Sequence, residues 1–255
     1  AVLRGLHRGE PDGRHDDAPI RILSASNQGA SCPRQFEASG MCHIRAEIDR
    51  YGNMTERDFC CHAQHHRMES DMASEWGPLA ALAGEWQGTG GLDSSYSHAR
   101  GEVVSTPYLE KVTMKPFGPV ENGRQTLYGL DYKTAMWKNN EENPFHTEVG
   151  YWLWDSATNE VLRGFVVPRG IVVLAGGKAA ADAREFTMTA EVGSPTYAIG
   201  ENTYLAQHAS SQKYTVTITL NDDGSWSYTE DTSLRMDQFS SIFPHTDSNT
   251  LHRVS

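Results

Sequence analysis

The segment Lys213–Leu220, KYTVTITL, puts Tyr214, Val216, Ile218 and Leu220 on one side of an extended chain and Thr215, Thr217 and Thr219 on the other. Side chains alternate faces along a strand, so a period of two written in β-branched residues specifies a strand with one face in a core. A helix would scatter the same residues around its axis. The stretch NDDGSW follows as a turn with Asp-Gly punctuation, and WSYTEDTSLRM reads as the returning strand. The same texture fills the chain from Trp76 on. EVGYWLWD and EVLRGFVVP are strands joined by the polar turn SATN, and EVVSTPYLEKVTM, GRQTLYGLDYKTAMW and REFTMTAEV are further two-sided strands. PLAALAG is the one apolar helical turn.

Many strands, short turns and almost no helix make an all-β architecture. The expected fold is an antiparallel up-and-down β-barrel of about ten strands, preceded by a short N-terminal helix. An immunoglobulin-type sandwich lacks its Cys…Trp…Cys pattern here. Closure removes unpaired sheet edges, and a barrel of about eight to ten strands leaves room for one small ligand. In LAGEWQGTGG, Gly84, Gly88, Gly90 and Gly91 surround Trp86. Glycines inside a strand permit a sharp bend or a close approach. Trp86 is therefore expected to plug one end of the barrel while the glycines turn the corner.

Residues 1–71 have a different composition, with no lysine and only Phe36, Tyr51 and Phe59 as aromatics. Such a segment buries too little apolar surface to offset its ordering entropy. The expected organisation is a disordered or non-native leader, 1–71, and a barrel domain, 72–255, with Met72 as a plausible start; a short helix is expected over Ile44–Arg50. Cys32, Cys42, His43, Cys60, Cys61, His62, His65 and His66 are candidate zinc ligands, but their spacing lacks the C-x2-4-C knuckle, which favours disorder. These are all the cysteines of the chain, so a disulfide framework for the barrel is excluded, which fits a reducing, cytoplasmic compartment. The net charge of -11 argues against a nucleic-acid partner. No apolar run reaches the ~18 residues of a membrane-spanning helix, so no membrane partner is expected. The chain starts on Ala1 without a secretory signal, as a fragment or processed product would.

The blocks GPLAALAGEWQGTGG, PFHTEVGYWLWD, VVPRGIVVLAGG and FPHTDSNTLHRV, in that order over Trp76–Val254, resemble the nitrobindin-type heme-binding β-barrel family, a fatty-acid-binding-protein-like or calycin-like group. The resemblance implies a ten-stranded antiparallel barrel with heme b near its mouth and one axial histidine near the C-terminus in a Pro-His context. That position matches Pro244-His245. It further implies a ferric, five-coordinate iron that binds nitric oxide and isomerises peroxynitrite to nitrate; partners are then heme and a small diatomic or oxyanion ligand, with a homodimer compatible. The block departs from the better-known members where TDSNT intervenes before LHRV and brings a rival histidine, His252.

Read from the residues, His245 follows a proline in a loop free to reach across the mouth, whereas His252 is tied to a strand face beside Leu251 and Val254. Neutral imidazole is a good heme-iron ligand, and one axial histidine leaves the other iron face open. A lone loop histidine is ordinarily solvent-exposed; the family likeness turns the reading toward ligation. The resemblance places His146 on the pocket wall, either as a polar group near the iron's open side or as a hydrogen-bonded histidine at a strand start. Met136, Tyr151, Trp152, Trp154 and Phe165 are pocket-lining candidates, of which alternation sends about half outward. Arg169 sits at a strand end, where it serves a heme propionate or, as the preferred reading, a structural bridge to Glu148 or another acid. Rival functions are a non-heme carrier of a small apolar ligand and an enzyme pairing His146 with a carboxylate. No G-x-S-x-G elbow, P-loop or H-E-x-x-H motif is present, and Asp222-Asp223-Gly224 is a turn rather than a calcium loop.

Overall fold

The computed structural model describes residues 75–138 and 141–254. The leader, its candidate zinc ligands and the expected helix over Ile44–Arg50 lie outside the described residues.

Strands β1 (Gly84–Ser97), β2 (Glu102–Asn122), β3 (Gln125–Lys138), β4 (His146–Asp155), β5 (Glu160–Val167) and β6 (Ile171–Lys178) form one continuous meander. They continue into β7 (Glu185–Val192), β8 (Ala198–Glu201), a short helix α1 (Thr203–His208), β9 (Ala209–Leu220), β10 (Trp226–Met236) and β11 (Phe243–Arg253). Strand β11 pairs back onto β1, from Trp86↔Arg253 to Ser94↔Thr246, and closes the barrel. Closure is the expected one; the count is eleven rather than ten. The extra strand is the four-residue β8, which wedges between β6 and β7 where those two meet only at Gly176↔Thr189. It runs antiparallel to β6 but parallel to β7, so the barrel is not wholly antiparallel.

The alternation read in the sequence is realised directly. Tyr214, Val216 and Ile218 are buried, while Thr187 and Thr217 meet outside through their hydroxyls at 2.8 Å. The bend in β1 falls at its glycines: pairing shifts between Gly88 and Gly91 toward β2, and between Gln87 and Leu92 toward β11. A Cβ on Gly91 would stand 2.3 Å from the Tyr108 ring, so the glycine is needed for close approach as well as for bending.

The expected N-terminal helix is a 3₁₀ helix, Gly77–Leu82, entered through Pro78. It carries Leu79 and Leu82 into full burial beside Trp86 and Trp154. The Trp86 indole donates to the Leu82 carbonyl at 2.8 Å and packs edge-on to Trp226 at 6.2 Å. Trp86 thus plugs the end of the barrel from which β1 starts, as the sequence suggested. The core is layered. Along β11, Phe243, His245 and Asp247 face the interior near the open end, Asn249 lies deeper, and Leu251 sits among the plug residues.

Candidate functional site

At the end opposite the plug the barrel holds a cavity of about 670 Å³. One wall is apolar, from Met136, Phe165, Val167, Val173, Ile199 and Phe243; Asp93, His146, Glu148, Glu230, His245 and Asp247 supply the polar face. Lys138, Arg169, His208 and Asp237 also border it. The size is that of a small-molecule site with a few convergent polar groups.

His245 lies within β11, not in a loop. Its neighbour Pro244 is tolerated there because β11 pairs only with β10 at that point; pairing to β1 begins at Ser94↔Thr246, so the missing N–H breaks no ladder bond on that side. Strand pleating then fixes the direction of both histidines. His245 lines the cavity, while His252 is exposed on the outer face. His245 Nε2 is 2.6 Å from Asp93 Oδ1. Burial pushes the Asp93 carboxyl up, but the His245 hydrogen bond and charge, with the Ser95 hydroxyl, outweigh it and hold the group below its ordinary value.

His146 opens β4, lines the cavity and shares a hydrogen bond with Glu148 Oε1 at 3.1 Å. It is thus a hydrogen-bonded histidine at a strand start that also stands on the cavity wall. Met136 pairs with it across the strands and also lines the cavity. Trp152 lies beneath that cavity rather than on its wall: it is four residues past Glu148 on the same face, two steps deeper, and fully buried. Trp154 is deeper still, Tyr151 faces solvent, and Phe165 is on the cavity wall.

Arg169 is exposed in the β5–β6 turn, and among the described residues it forms no ion pair; its carbonyl accepts from the Asn202 side chain at 2.6 Å. The arginine that bridges Glu148 is Arg163 instead. Its Nη2 donates to Glu148 Oε2 at 2.7 Å and to the Tyr132 hydroxyl at 3.0 Å, and its Nη1 bonds Glu230 and Tyr214. Four aromatic rings, of Tyr132, Trp152, Phe165 and Tyr214, surround the guanidinium at 4.6–5.8 Å. Burial alone would raise the Glu148 carboxyl, but the Arg163 charge overrides it, and Glu148 stays ionised well below its ordinary range.

A second network lies alongside. Glu110 accepts from Thr134 at 2.8 Å and from Tyr228 and Asn249 at 2.9 Å each. Tyr228 meets Tyr108 at 2.8 Å, and Tyr108 donates to Asp247 on the cavity wall. Full burial raises the Glu110 carboxyl above its ordinary value against these donors. Asp247 is pushed up to about 8, by burial first and then by the charge of Glu230.

Neither network was singled out in the sequence. The signal was there: Val161, Arg163, Phe165 and Val167 share one strand face, and so do Tyr108, Glu110, Val112 and Met114. A charge on an otherwise apolar face must find a buried partner.

A barrel plugged at one end and hollow at the other, with imidazoles and carboxylates around an apolar wall, defines the class of small-ligand-binding β-barrels. Within that class the chain belongs to the THAP4-like, heme-binding beta-barrel domain family, whose model matches residues 75–253. It is 30% identical over 107 residues to the peroxynitrite isomerase of Renibacterium salmoninarum, an alignment covering 40% of this chain and 44% of that protein. The chain therefore spans less than half the length of that relative. The crystal structure of Rv2717c from M. tuberculosis superposes with a TM-score of 0.50 at 19% identity, over 69% of this chain and 95% of that one; the likeness is one of fold.

Proposed function

We propose that the 670 Å³ cavity holds heme, with His245 as the iron ligand. The observation that carries this reading is that His245 is an inward-facing imidazole beside an apolar wall, while its rival His252 faces solvent. The residues present fit the group. The volume suits a cofactor, Met136, Phe165, Val173 and Phe243 offer apolar faces, and Lys138 and Arg169 offer cations to carboxylate tails at the border. Metal-binding histidines commonly give one ring nitrogen to a carboxylate, and Asp93 holds Nε2 of His245 in that manner.

When bound, the iron would supply the site for nitric oxide or peroxynitrite and for isomerisation of the latter to nitrate. The chain's own work is to fix His245 through Asp93, to exclude water along the apolar wall, and to keep His146 hydrogen-bonded to an ionised Glu148. The cysteine-free barrel suits a reducing, cytoplasmic setting. A fatty-acid carrier would have to anchor its carboxylate at the border, on Lys138 or Arg169, because the buried Arg163 is already engaged by two carboxylates.

The test is hemin titration of the full chain, followed by its Soret absorption, for the native protein, His245→Ala and His252→Ala. The reading requires saturable binding and a Soret shift or loss in His245→Ala only. Unchanged spectra in His245→Ala, or loss in His252→Ala instead, refute it.

A further inference from the structure

Below the ligand cavity lies a second, much smaller one of about 10 Å³, bounded by Glu110, Tyr132, Trp152, Arg163, Trp226 and Glu230, among others. Three of the residues that bound it carry a buried N–H without a partner in the protein: Trp152 at Nε1, Trp226 at Nε1 and Arg163 at Nε. All three residues are at most 4% exposed. Buried donors of this kind are rarely left unpaired, and several around one void point to a ligand.

The chemistry of the walls selects that ligand. The volume is about that of a single water centre. The N–H groups repel a cation, and the carboxylates of Glu110 and Glu230 disfavour an anion. What remains is a neutral species that both accepts and donates. We propose that this cavity is a built site for one long-lived water molecule. It accepts from the Trp152 and Trp226 indoles and donates toward Glu110 and Glu230. The remaining Arg163 N–H is left among the aromatic faces that surround its guanidinium.

The placement gives the water a role. Glu110 belongs to the Asp247–Tyr108–Tyr228 chain, whereas Arg163 and Glu230 belong to the network that reaches Glu148 and His146. Backbone ladders aside, no direct side-chain hydrogen bond among the described residues joins the two. The water is the joint, and through it the interior becomes one hydrogen-bonded body with both ends on the cavity wall. The proposal is independent of heme.

The experiment uses the full chain labelled with ¹⁵N-tryptophan and no added ligand. Trp152→Phe and Trp226→Phe each remove one indole signal and so assign it. In the native protein, rotating-frame spectra should show a cross-peak of dipolar sign between water and both indole protons. A high-resolution crystal structure should show one density peak within hydrogen-bonding distance of both Nε1 atoms. Cross-peaks missing from either indole in a folded spectrum, or of exchange sign alone, overturn the proposal. So does a dry cavity in the crystal.

Discussion

Replacing Arg163 with methionine removes one cation and strands two carboxylates, Glu148 and Glu230, whose side chains are 5% and 15% exposed. Methionine keeps much of the volume among the four rings, so the cost is chiefly electrostatic. Glu148 is held at about 2 against an ordinary 4.5, because the Arg163 charge outweighs the burial that would raise it. At ~1.4 kcal/mol per pH unit that interval corresponds to ~3 kcal/mol. That figure is the net of burial, Arg163, His146 and Tyr132; removing one partner of a buried pair typically costs ~3–5 kcal/mol, the same order. The sign with pH follows. A carboxyl with a depressed folded value stabilises above its unfolded value and loses that contribution as pH falls from about 4.5 toward 2. In Arg163→Met, burial is opposed only by the hydrogen bonds from His146 and Tyr132, so acid penalises the variant less than it penalises the native chain. Urea unfolding at pH 7 should place the variant ~3–5 kcal/mol lower. The gap should narrow at about pH 3, and adding Glu148→Gln and Glu230→Gln should recover much of the loss. A variant within ~1 kcal/mol of native at pH 7 with an unchanged urea slope, or a gap independent of pH, would refute the reasoning.

Gly91→Ala should lower stability by ~1–3 kcal/mol in thermal unfolding, because its Cβ would press on a Tyr108 ring tethered by Tyr228 and Asp247. Glu110→Gln should flatten the alkaline limb of the stability profile. A buried carboxyl with a raised folded value binds its proton more tightly folded than unfolded, so native stability falls as pH rises above about 4.5 and the glutamine variant should not follow it; urea midpoints across that range provide the check.

The architecture was readable because barrel strands write their inside and outside in alternate residues. KYTVTITL, EVLRGFVVP and EVGYWLWD became β9, β5 and β4, and Tyr214, Val216 and Ile218 of the first are buried as expected. Strand β8 was not readable. Four residues carry too little periodicity, and their place is decided by the gap between β6 and β7, a tertiary matter. His245 lines the cavity, but within a strand rather than in the expected loop. Proline before it suggested a loop, whereas the local lack of a second neighbouring strand makes proline harmless there. Arg169 interrupts an apolar stretch at an expected strand end, whereas Arg163, six residues earlier within an apolar run, forms the bridge to Glu148. Pairing such as Arg163 with Glu148 joins β5 to β4 across offset positions, and no spacing along one strand reveals it.

The pleat of β11 ties the whole depth of the barrel to one parity. Phe243, His245, Asp247, Asn249 and Leu251 are successive odd positions of a single strand. Deleting one residue between Asp247 and Asn249 would leave the plug end in place and turn the mouth inside out, with Pro244 and Thr246 swung inward and the imidazole outward. Point changes can retune this pocket, then, but changes of length belong in the Asp237–Ile242 connection, where no neighbouring strand counts residues.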